Sequence, residues 1–381
     1  MKVSILGVEF HSPNLGCGAL SYSLCDILAD IAKRHNQDAE ITAFVINPEP
    51  VLQTSNYKLT CVKYHLKDMN FWKKAYQICK ESDFIIDLSL GDSFADIYSA
   101  SRFYKHSMLK LCAIFSGKPY VLGPQTYGPF HKFWTKQLAK YVLNKSELCF
   151  TRDKLSQKYI YDICKKEAVL TTDVAFSLNY EKQDKEMVEK IRIGINPSGL
   201  LWDGREFITT TTITLDYEKY IKQLLEFLFQ SGKYEVHLIP HVFSADESSP
   251  ENDYRVCKEI NSVYPETIVA PLFSTPMEAK SYISGMDIFL GARMHATIAA
   301  FSSGVATIPF SYSRKFEGLF GDLNYPFVIS ATQISTEEAL EKTKEWIANS
   351  DDLQKQVEYA DKIIMQKKFN FVKELEKLIK E

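Results

Sequence analysis

Short β-rich runs alternate with segments of helical period through the first half of the chain, pause at a polar stretch, and then resume. This alternation constrains the possible folds more than any other feature. VSILGV, ITAFVI, DFIIDLS, PYVLGP and ELCFTR have the composition of strands. Between them, the segments near 17–34, 70–80, 100–115, 130–144 and 153–163 carry apolar residues at helical spacing. Strands that alternate with helices pair in parallel through right-handed crossovers. The polar segment YEKQDKEMVEK (180–190) reads as a linker or surface helix, after which IRIGINP, EVHLIPH, TIVAPL, MDIFLG and VATIPFS supply strands again. Helical patterns near 216–230, 251–262, 276–285 and 294–304 separate them.

The expected fold class is therefore α/β: two doubly wound, Rossmann-like domains facing a cleft, 1–182 and 190–345, followed by a helical tail over 346–381. A length of 381 residues suits two domains. The tail's DKIIMQKKFNFVKELEKLIK has an apolar stripe flanked by lysines. It reads either as a helix packing back across the domain boundary or as a contact with a membrane surface.

A net charge of −3 with no long basic run leaves no electrostatic footprint for nucleic acid. The eight cysteines are scattered, without a CxxC pair, which suits a reducing compartment better than a disulfide scaffold. MKVSILGVEF is too short an apolar run for a signal peptide. No window is read as the ~20 apolar residues of a membrane span. The expected location is the cytoplasm, with peripheral contact at the inner face of the membrane as the alternative to a freely diffusing protein. HExxH and Cys/His clusters are missing from the sequence, so no metal site is expected.

In open parallel sheets, ligands collect beyond the carboxyl ends of the strands. Several chemically active residues fall there. After the first strand, Asn14, Gly16 and Gly18 precede a helix, and glycines in such a turn let backbone N–H groups approach an anion or a sugar; a simple tight turn is the other reading. LGDSFADIY offers Asp92 and Asp96, as helix caps or as a base for a sugar hydroxyl. PQTYGPF presents Gln125 and Tyr127 in a loop suited to hydrogen bonding and stacking on a sugar.

TRDKLS places Arg152 at a strand end, with Asp153 as the cap of the next helix. GARMHAT places Arg293 and His295 at the corresponding point of the second half, and SYSRKF adds Ser311, Arg314 and Lys315. Guanidinium groups grip carboxylate or phosphate bidentately, so an anionic small ligand is expected unless these arginines pair with local aspartates.

Assembled, these segments resemble the polysaccharide pyruvyl transferase family. The resemblance runs from Asn14 to about Phe320. It rests on NLGCGAL, LGDSFAD, GPQTYGPF, TRDKLS, DVAF (173–176), IGINPSGLLW (193–202) and, most specifically, GARMHATIAAFSSGVATIPFSYSRKFEGLF. Family members often carry three glycines where this chain has Leu90-Gly91-Asp92.

The resemblance implies a fold like that of the two-domain GT-B glycosyltransferases. It implies transfer of an enolpyruvyl unit from phosphoenolpyruvate onto two hydroxyls of a sugar, possibly a lipid-linked one, with a ketal and free phosphate as products and no cofactor. It places the family's arginine–histidine motif on Arg293 and His295, its strand-end arginine on Arg152, and its cleft aspartate on Asp96. On this reading His295 and Asp96 are catalytic, and Arg152, Arg293, Ser311 and Lys315 bind the donor. Asn14, Gly16, Asp92, Gln125 and Tyr127 then face the acceptor. A GT-B glycosyltransferase using a nucleotide sugar, with Glu317 as its ribose carboxylate, and an inactive carbohydrate-binding protein on the same scaffold are the rival expectations.

Overall fold

A computed structural model describes residues 1–49, 55–183, 189–202, 213–244, 246 and 249–379. The expected linker is described only at 180–183 and 189–190; the rest of it lies outside the described residues. The chain divides into two units. Unit 1 comprises Met1–Ser12, Cys17–Leu178 and Ile364–Glu381; unit 2 comprises Pro13–Gly16 and Asn179–Ile363.

Unit 1 is built on seven parallel strands: β1 (Lys2–Leu6), β2 (Ala39–Val45), β3 (Tyr57–Lys63), β4 (Phe84–Asp87), β5 (Tyr120–Gln125), β6 (Leu148–Thr151) and β7 (Val169–Leu170), in the order β3-β2-β1-β4-β5-β6-β7. The central strands are apolar throughout because both sheet faces are covered; all four residues of β4, for example, are buried.

Helix α1 (Leu15–Arg34) connects β1 to β2, moving one way across the sheet. Helices α2 (Met69–Glu81), α3 (Ala100–Phe115), α4 (Phe133–Lys145) and α5 (Lys154–Cys164) connect β3 through β7 in turn, moving the other way. Right-handed crossovers therefore put α2 to α5 side by side on one face of the sheet. Their starts have clear causes: Asp68, Ser99 and Asp153 each accept a backbone N–H of the first turn of α2, α3 and α5.

Unit 2 repeats the plan with six parallel strands: β8 (Ile191–Asn196), β9 (Tyr234–Leu238), β10 (Ile268–Val269), β11 (Ile288–Gly291), β12 (Ala306–Ser311) and β13 (Ile329–Ser330), in the order β10-β9-β8-β11-β12-β13. Helices α6 (Tyr217–Ser231), α7 (Asp253–Val263), α8 (Pro276–Ser284), α9 (Met294–Ser302) and α10 (Arg314–Asp322) intervene. The expected α/β class with two doubly wound sheets is the class observed.

Helix α11 (Thr336–Ala348) follows, and the tail over 346–381 is occupied by α12 (Ser350–Glu376). The apolar stripe of α12 is packed away: Leu353, Val357, Ala360, Ile364, Phe371 and Leu375 are buried, and Phe371 meets Phe150 edge-on at 4.8 Å between ring centroids. That burial accounts for the stripe without a membrane. The expectation that no segment has the length and apolarity of a membrane span needs correction. Helix α1 is long and apolar enough to cross a bilayer, but 78% of that window is buried inside the protein, as in a core helix.

Candidate functional site

In each sheet the strand order reverses next to the first strand, between β1 and β4 and between β8 and β11. The carboxyl ends at such a reversal are where doubly wound folds bind ligands. In unit 2 this point is occupied by the GARMH turn. Strand β11 ends at Gly291, Arg293 is the N-cap of α9, and His295 lies in the first turn of that helix, half-buried.

Arg293 is held from several sides. Its Nε and Nη2 donate to the Asp253 carboxylate at 3.1 and 2.8 Å, Nη2 also donates to the Glu251 carbonyl at 2.9 Å, and its backbone N–H reaches Asn196 Oδ1 at 2.9 Å. Burial alone would disfavour the guanidinium charge, but the Asp253 carboxylate outweighs it and raises the Arg293 pKa. Asn196 also donates its amide to the Ile239 carbonyl, stapling the ends of β8, β9 and β11 together.

Asp253 is the hub of this end of the sheet. Fully buried at the start of α7, it accepts the backbone N–H of Gly199 at 2.9 Å and of Val242 at 3.0 Å besides the guanidinium. His241, in the loop after β9, is buried beside them. Burial, reinforced by the positive charges of His295 and Arg293, lowers its pKa to about 3, so its imidazole is neutral. His241 Nδ1, Ser198 Oγ and Ser311 Oγ are buried polar atoms with no hydrogen-bond partner among the described residues, and they lie beyond or at the ends of β9, β8 and β12. Lys315 and Glu317 lie in the first turn of α10, half-buried and exposed respectively.

Asn14 and Gly16 belong with this unit. Asn14 forms an antiparallel bridge with Val242, and the Leu15 N–H donates to the His241 carbonyl at 3.2 Å. Asn14 Oδ1 accepts the Gly16 N–H at 3.0 Å, opening α1. Gly16 lies directly against His295: a Cβ there would fall 2.2 Å from Nδ1 of the imidazole. The glycine is thus explained by the close approach of a histidine ring, where the sequence suggested an approach to an anion or sugar.

In unit 1 the carboxyl end of β4 carries Asp87, which accepts from Lys110, from Tyr120 Oη at 2.9 Å, and from the Ser89 N–H at 2.7 Å. Burial would raise the Asp87 pKa, but the Lys110 ammonium and these hydrogen bonds lower it. The turn that follows, Ser89–Gly91, has positive φ at Ser89 (44°), Leu90 (51°) and Gly91 (85°). Asp92 then accepts the Tyr98 hydroxyl at 2.7 Å.

Asp96 lies near the start of α4. Its Oδ2 accepts the backbone N–H of His131 (2.8 Å) and Lys132 (3.0 Å) and the Thr135 hydroxyl (2.7 Å), while Oδ1 meets His131 Nδ1 at 2.9 Å. Burial opposes the charge, but the Lys132 N–H, Thr135 and His131 outweigh it and lower the Asp96 pKa. The Asp96 side chain is 2% exposed and that of His131 60% exposed, so the imidazole is the reachable member of the pair.

Three expectations need correction. Arg152 is 1% exposed and holds Asp173 at 2.6 Å and Thr126 Oγ1 at 2.9 Å, so the local-aspartate reading accounts for it without a donor anion. Gln125 is fully buried at the end of β5, its amide on the Asp87 carbonyl and the Tyr127 hydroxyl at 3.2 Å. Tyr127 is likewise fully buried and donates to the Gly123 carbonyl at 3.0 Å. Neither side chain can touch an acceptor sugar in this conformation; both close the core beneath the loop. Asp153 caps α5 as expected. The sequence reading overlooked His131, His241, Asp253 and Asp173. Two had a visible signal: His241, an imidazole at the end of an apolar strand run, and Asp173, the first residue of the DVAF segment.

Among the described residues no three His, Cys, Asp or Glu side chains come together as a metal site.

The fold is similar to that of solved structures along nearly the full length. A UDP-N-acetylglucosamine 2-epimerase from Listeria monocytogenes matches with a TM-score of 0.59 at 9% identity, covering 95% of this chain and 94% of that one. Trehalose-6-phosphate from E. coli, bound with UDP-2-fluoro glucose, matches at 0.56 and 9% identity, covering 100% of both chains. These likenesses define a GT-B-like fold and nothing finer. The family model for polysaccharide pyruvyl transferase matches residues 14–314, and the chain belongs to that family. The amylovoran biosynthesis protein AmsJ of Erwinia amylovora is 22% identical over 296 residues, 73% of this chain and 68% of the relative.

Proposed function

We propose that the protein transfers the enolpyruvyl unit of phosphoenolpyruvate to a sugar of a surface polysaccharide or its lipid-linked precursor, forming a pyruvate ketal and releasing phosphate without a cofactor. The observation that carries this reading is the Arg293–His295 turn at the strand reversal of unit 2, in a chain of this family.

Unit 2 is assigned the donor. Nε and Nη2 of Arg293 are engaged by Asp253 and Glu251, which fixes the plane of the guanidinium; Nη1, outside those bonds, is assigned to the donor's anionic oxygens. The buried, unpartnered hydroxyl of Ser311 and the Lys315 ammonium are assigned to the same anion. His295 as imidazolium gives its proton to C3 of the enol, and C2 becomes the electrophile. His241, kept neutral by its burial, leaves the proton-donor role to His295.

Unit 1 is assigned the acceptor, through Asp92 and the Asp96–His131 pair. Asp96 was expected to deprotonate the sugar hydroxyl itself; its enclosure and lowered pKa favour His131 as the group in contact, with Asp96 orienting the imidazole. The first hydroxyl attacks C2 and gives its proton to the base that accompanies the acceptor. The C2–O bond to phosphate breaks with its electron pair, and the second hydroxyl closes the ketal, its proton leaving with the phosphate.

Incubation with phosphoenolpyruvate and a panel of oligosaccharide acceptors tests the proposal. Free phosphate and an acceptor heavier by the pyruvyl group are expected. Release of a nucleoside diphosphate from nucleotide sugars, with phosphoenolpyruvate untouched, would overturn it.

A further inference from the structure

From Ile97 to Ser146 the chain contains no Asp or Glu, although the protein as a whole carries net charge −3. The same stretch carries Arg102, Lys105, Lys110 and Lys118 around α3, and Lys132, Lys136, Lys140 and Lys145 along α4. Lys110 is buried on Asp87; the others lie at or near the surface. A one-sided charge distribution of this kind is uncommon on an ordinary solvated face, where both signs are interspersed.

The apolar residues of these helices are unusual in the same place. On α4, Phe133 is 77% exposed and Tyr141 is also exposed, one helical stripe with Lys136 and Lys140 beside it. On α3, Tyr104, Met108 and Phe115 form a second exposed stripe, and Tyr104 stacks on Trp134 of α4 at 4.2 Å. The neighbouring α2 adds Met69, Lys73, Tyr76 and Lys80 at the same spacing. Because α2, α3 and α4 cover one face of the unit 1 sheet, these stripes belong to a single helical layer. Exposed aromatic and aliphatic side chains flanked by lysines, with no carboxylate among them on α3 and α4, match the interfacial zone of an anionic bilayer, where rings sit at headgroup level and each cation contributes attraction.

We propose that the outer side of the α2–α4 layer docks the protein on an anionic lipid surface. This docking does not depend on which reaction the protein catalyses. It places the membrane contact on unit 1's helical layer, whereas the sequence pattern had suggested α12.

Co-sedimentation with vesicles tests it, using phosphatidylglycerol and phosphatidylcholine in equal parts against phosphatidylcholine alone. The wild-type protein is expected to bind the anionic vesicles, to lose that binding as salt is raised, and to ignore the neutral ones. Lys136→Glu with Lys140→Glu is expected to weaken binding at least about tenfold. Phe133→Ser is expected to weaken binding at low salt, where the wild type binds. These residues are surface-exposed or nearly so and outside the assigned site, so turnover on a water-soluble acceptor and thermal stability should not change.

Equal binding to neutral vesicles, binding to neither, or wild-type binding by the charge-reversed protein would each overturn the proposal. So would a self-association, seen by sedimentation without lipid, that the same substitutions abolish while vesicles remain unbound. Absence of pyruvyl transfer with intact vesicle binding would instead remove the reaction and leave the docking surface standing.

Discussion

Gly16 and His295 are in contact across 279 positions of sequence (295 − 16), the glycine Cα so near the imidazole that any Cβ at residue 16 must displace the ring. Gly16 does not have a positive φ, so alanine suits its backbone in α1 and the only obstacle is the histidine. Gly16→Ala is therefore expected to leave the protein folded while rotating His295. A displacement of about 1 Å in a reacting group costs on the order of 10²-fold in rate. Steady-state turnover of the variant beside its thermal unfolding curve checks this; wild-type turnover would show that the ring's position is immaterial.

His295→Ala should lower turnover by about 10²–10⁴-fold, the usual contribution of a positioned proton donor, with little change in stability for a half-buried side chain. Release of phosphate from phosphoenolpyruvate is the readout. Full activity would remove His295 from the role assigned to it.

Arg293 and Asp253 should behave as one structural unit. Removing either leaves a buried charge without its partner, a loss of about 3–5 kcal/mol in comparable pairs. Asp253→Ala also deprives the Gly199 and Val242 N–H groups of their acceptor. Both variants are expected to unfold at clearly lower denaturant concentration than wild type, and Arg293→Lys to recover only part of the difference because an ammonium cannot reproduce the two-pronged contact. Equilibrium unfolding midpoints decide the matter.

His131 and Asp96 can be separated by variants. His131→Ala is expected to reduce turnover by at least about 10²-fold without destabilising the fold, since its side chain is mostly exposed. Asp96→Ala should reduce turnover and stability together, because the carboxylate also accepts two backbone N–H groups at the start of α4; a lost cap of this kind costs about 1 kcal/mol. An active His131→Ala enzyme would return the role of base to Asp96.

The neutral His241 makes a signed prediction about acid. Its folded pKa, about 3, lies below the ordinary value of ~6.5, so the unfolded chain binds a proton first as pH falls. Its contribution to stability is complete above about pH 6.5 and is lost progressively toward about pH 3. Relative to a His241→Gln variant, the wild type should lose about 2 kcal/mol between pH ~7 and pH ~5, measured as the difference in urea unfolding free energies. Parallel pH profiles would show that His241 is protonated in the folded protein.

The sheets were legible because their central strands are buried on both faces and so read as apolar runs; β4, β8, β11 and β12 fall inside segments recognised as strands, and β5 runs one residue past its segment, to Gln125. Strand β3, YKLTCVK, was missed because lysine and threonine alternate with its apolar residues. β7 and β13 pair through only two residues each and leave almost no pattern. The GARMH turn stood out through its chemistry, an arginine and a histidine beside glycine.

What stayed hidden was pairing. Arg152 looked unexplained because its aspartate, Asp173, is 21 residues away, and Arg293 because Asp253 is 40 residues away. Gln125 and Tyr127 looked like loop groups because proline and glycine surround them, and nothing local reveals that both are enclosed. Asp96 stands out in the sequence as a carboxylate beyond a strand end, but its exposed partner His131 comes from a different loop.

The turn after β4 holds two side-chain-bearing residues, Ser89 and Leu90, in the left-handed region that favours glycine, each at a cost of order 1 kcal/mol. Asp87, with Lys110 behind it, clamps Ser89 in place, and the Leu90 N–H bonds to the Gly7 carbonyl at 2.7 Å. The turn thus carries conformational tension that a glycine-rich sequence would not have. Leu90→Gly should relax it, and a protein that became sturdier yet slower would reveal a wound spring that serves turnover.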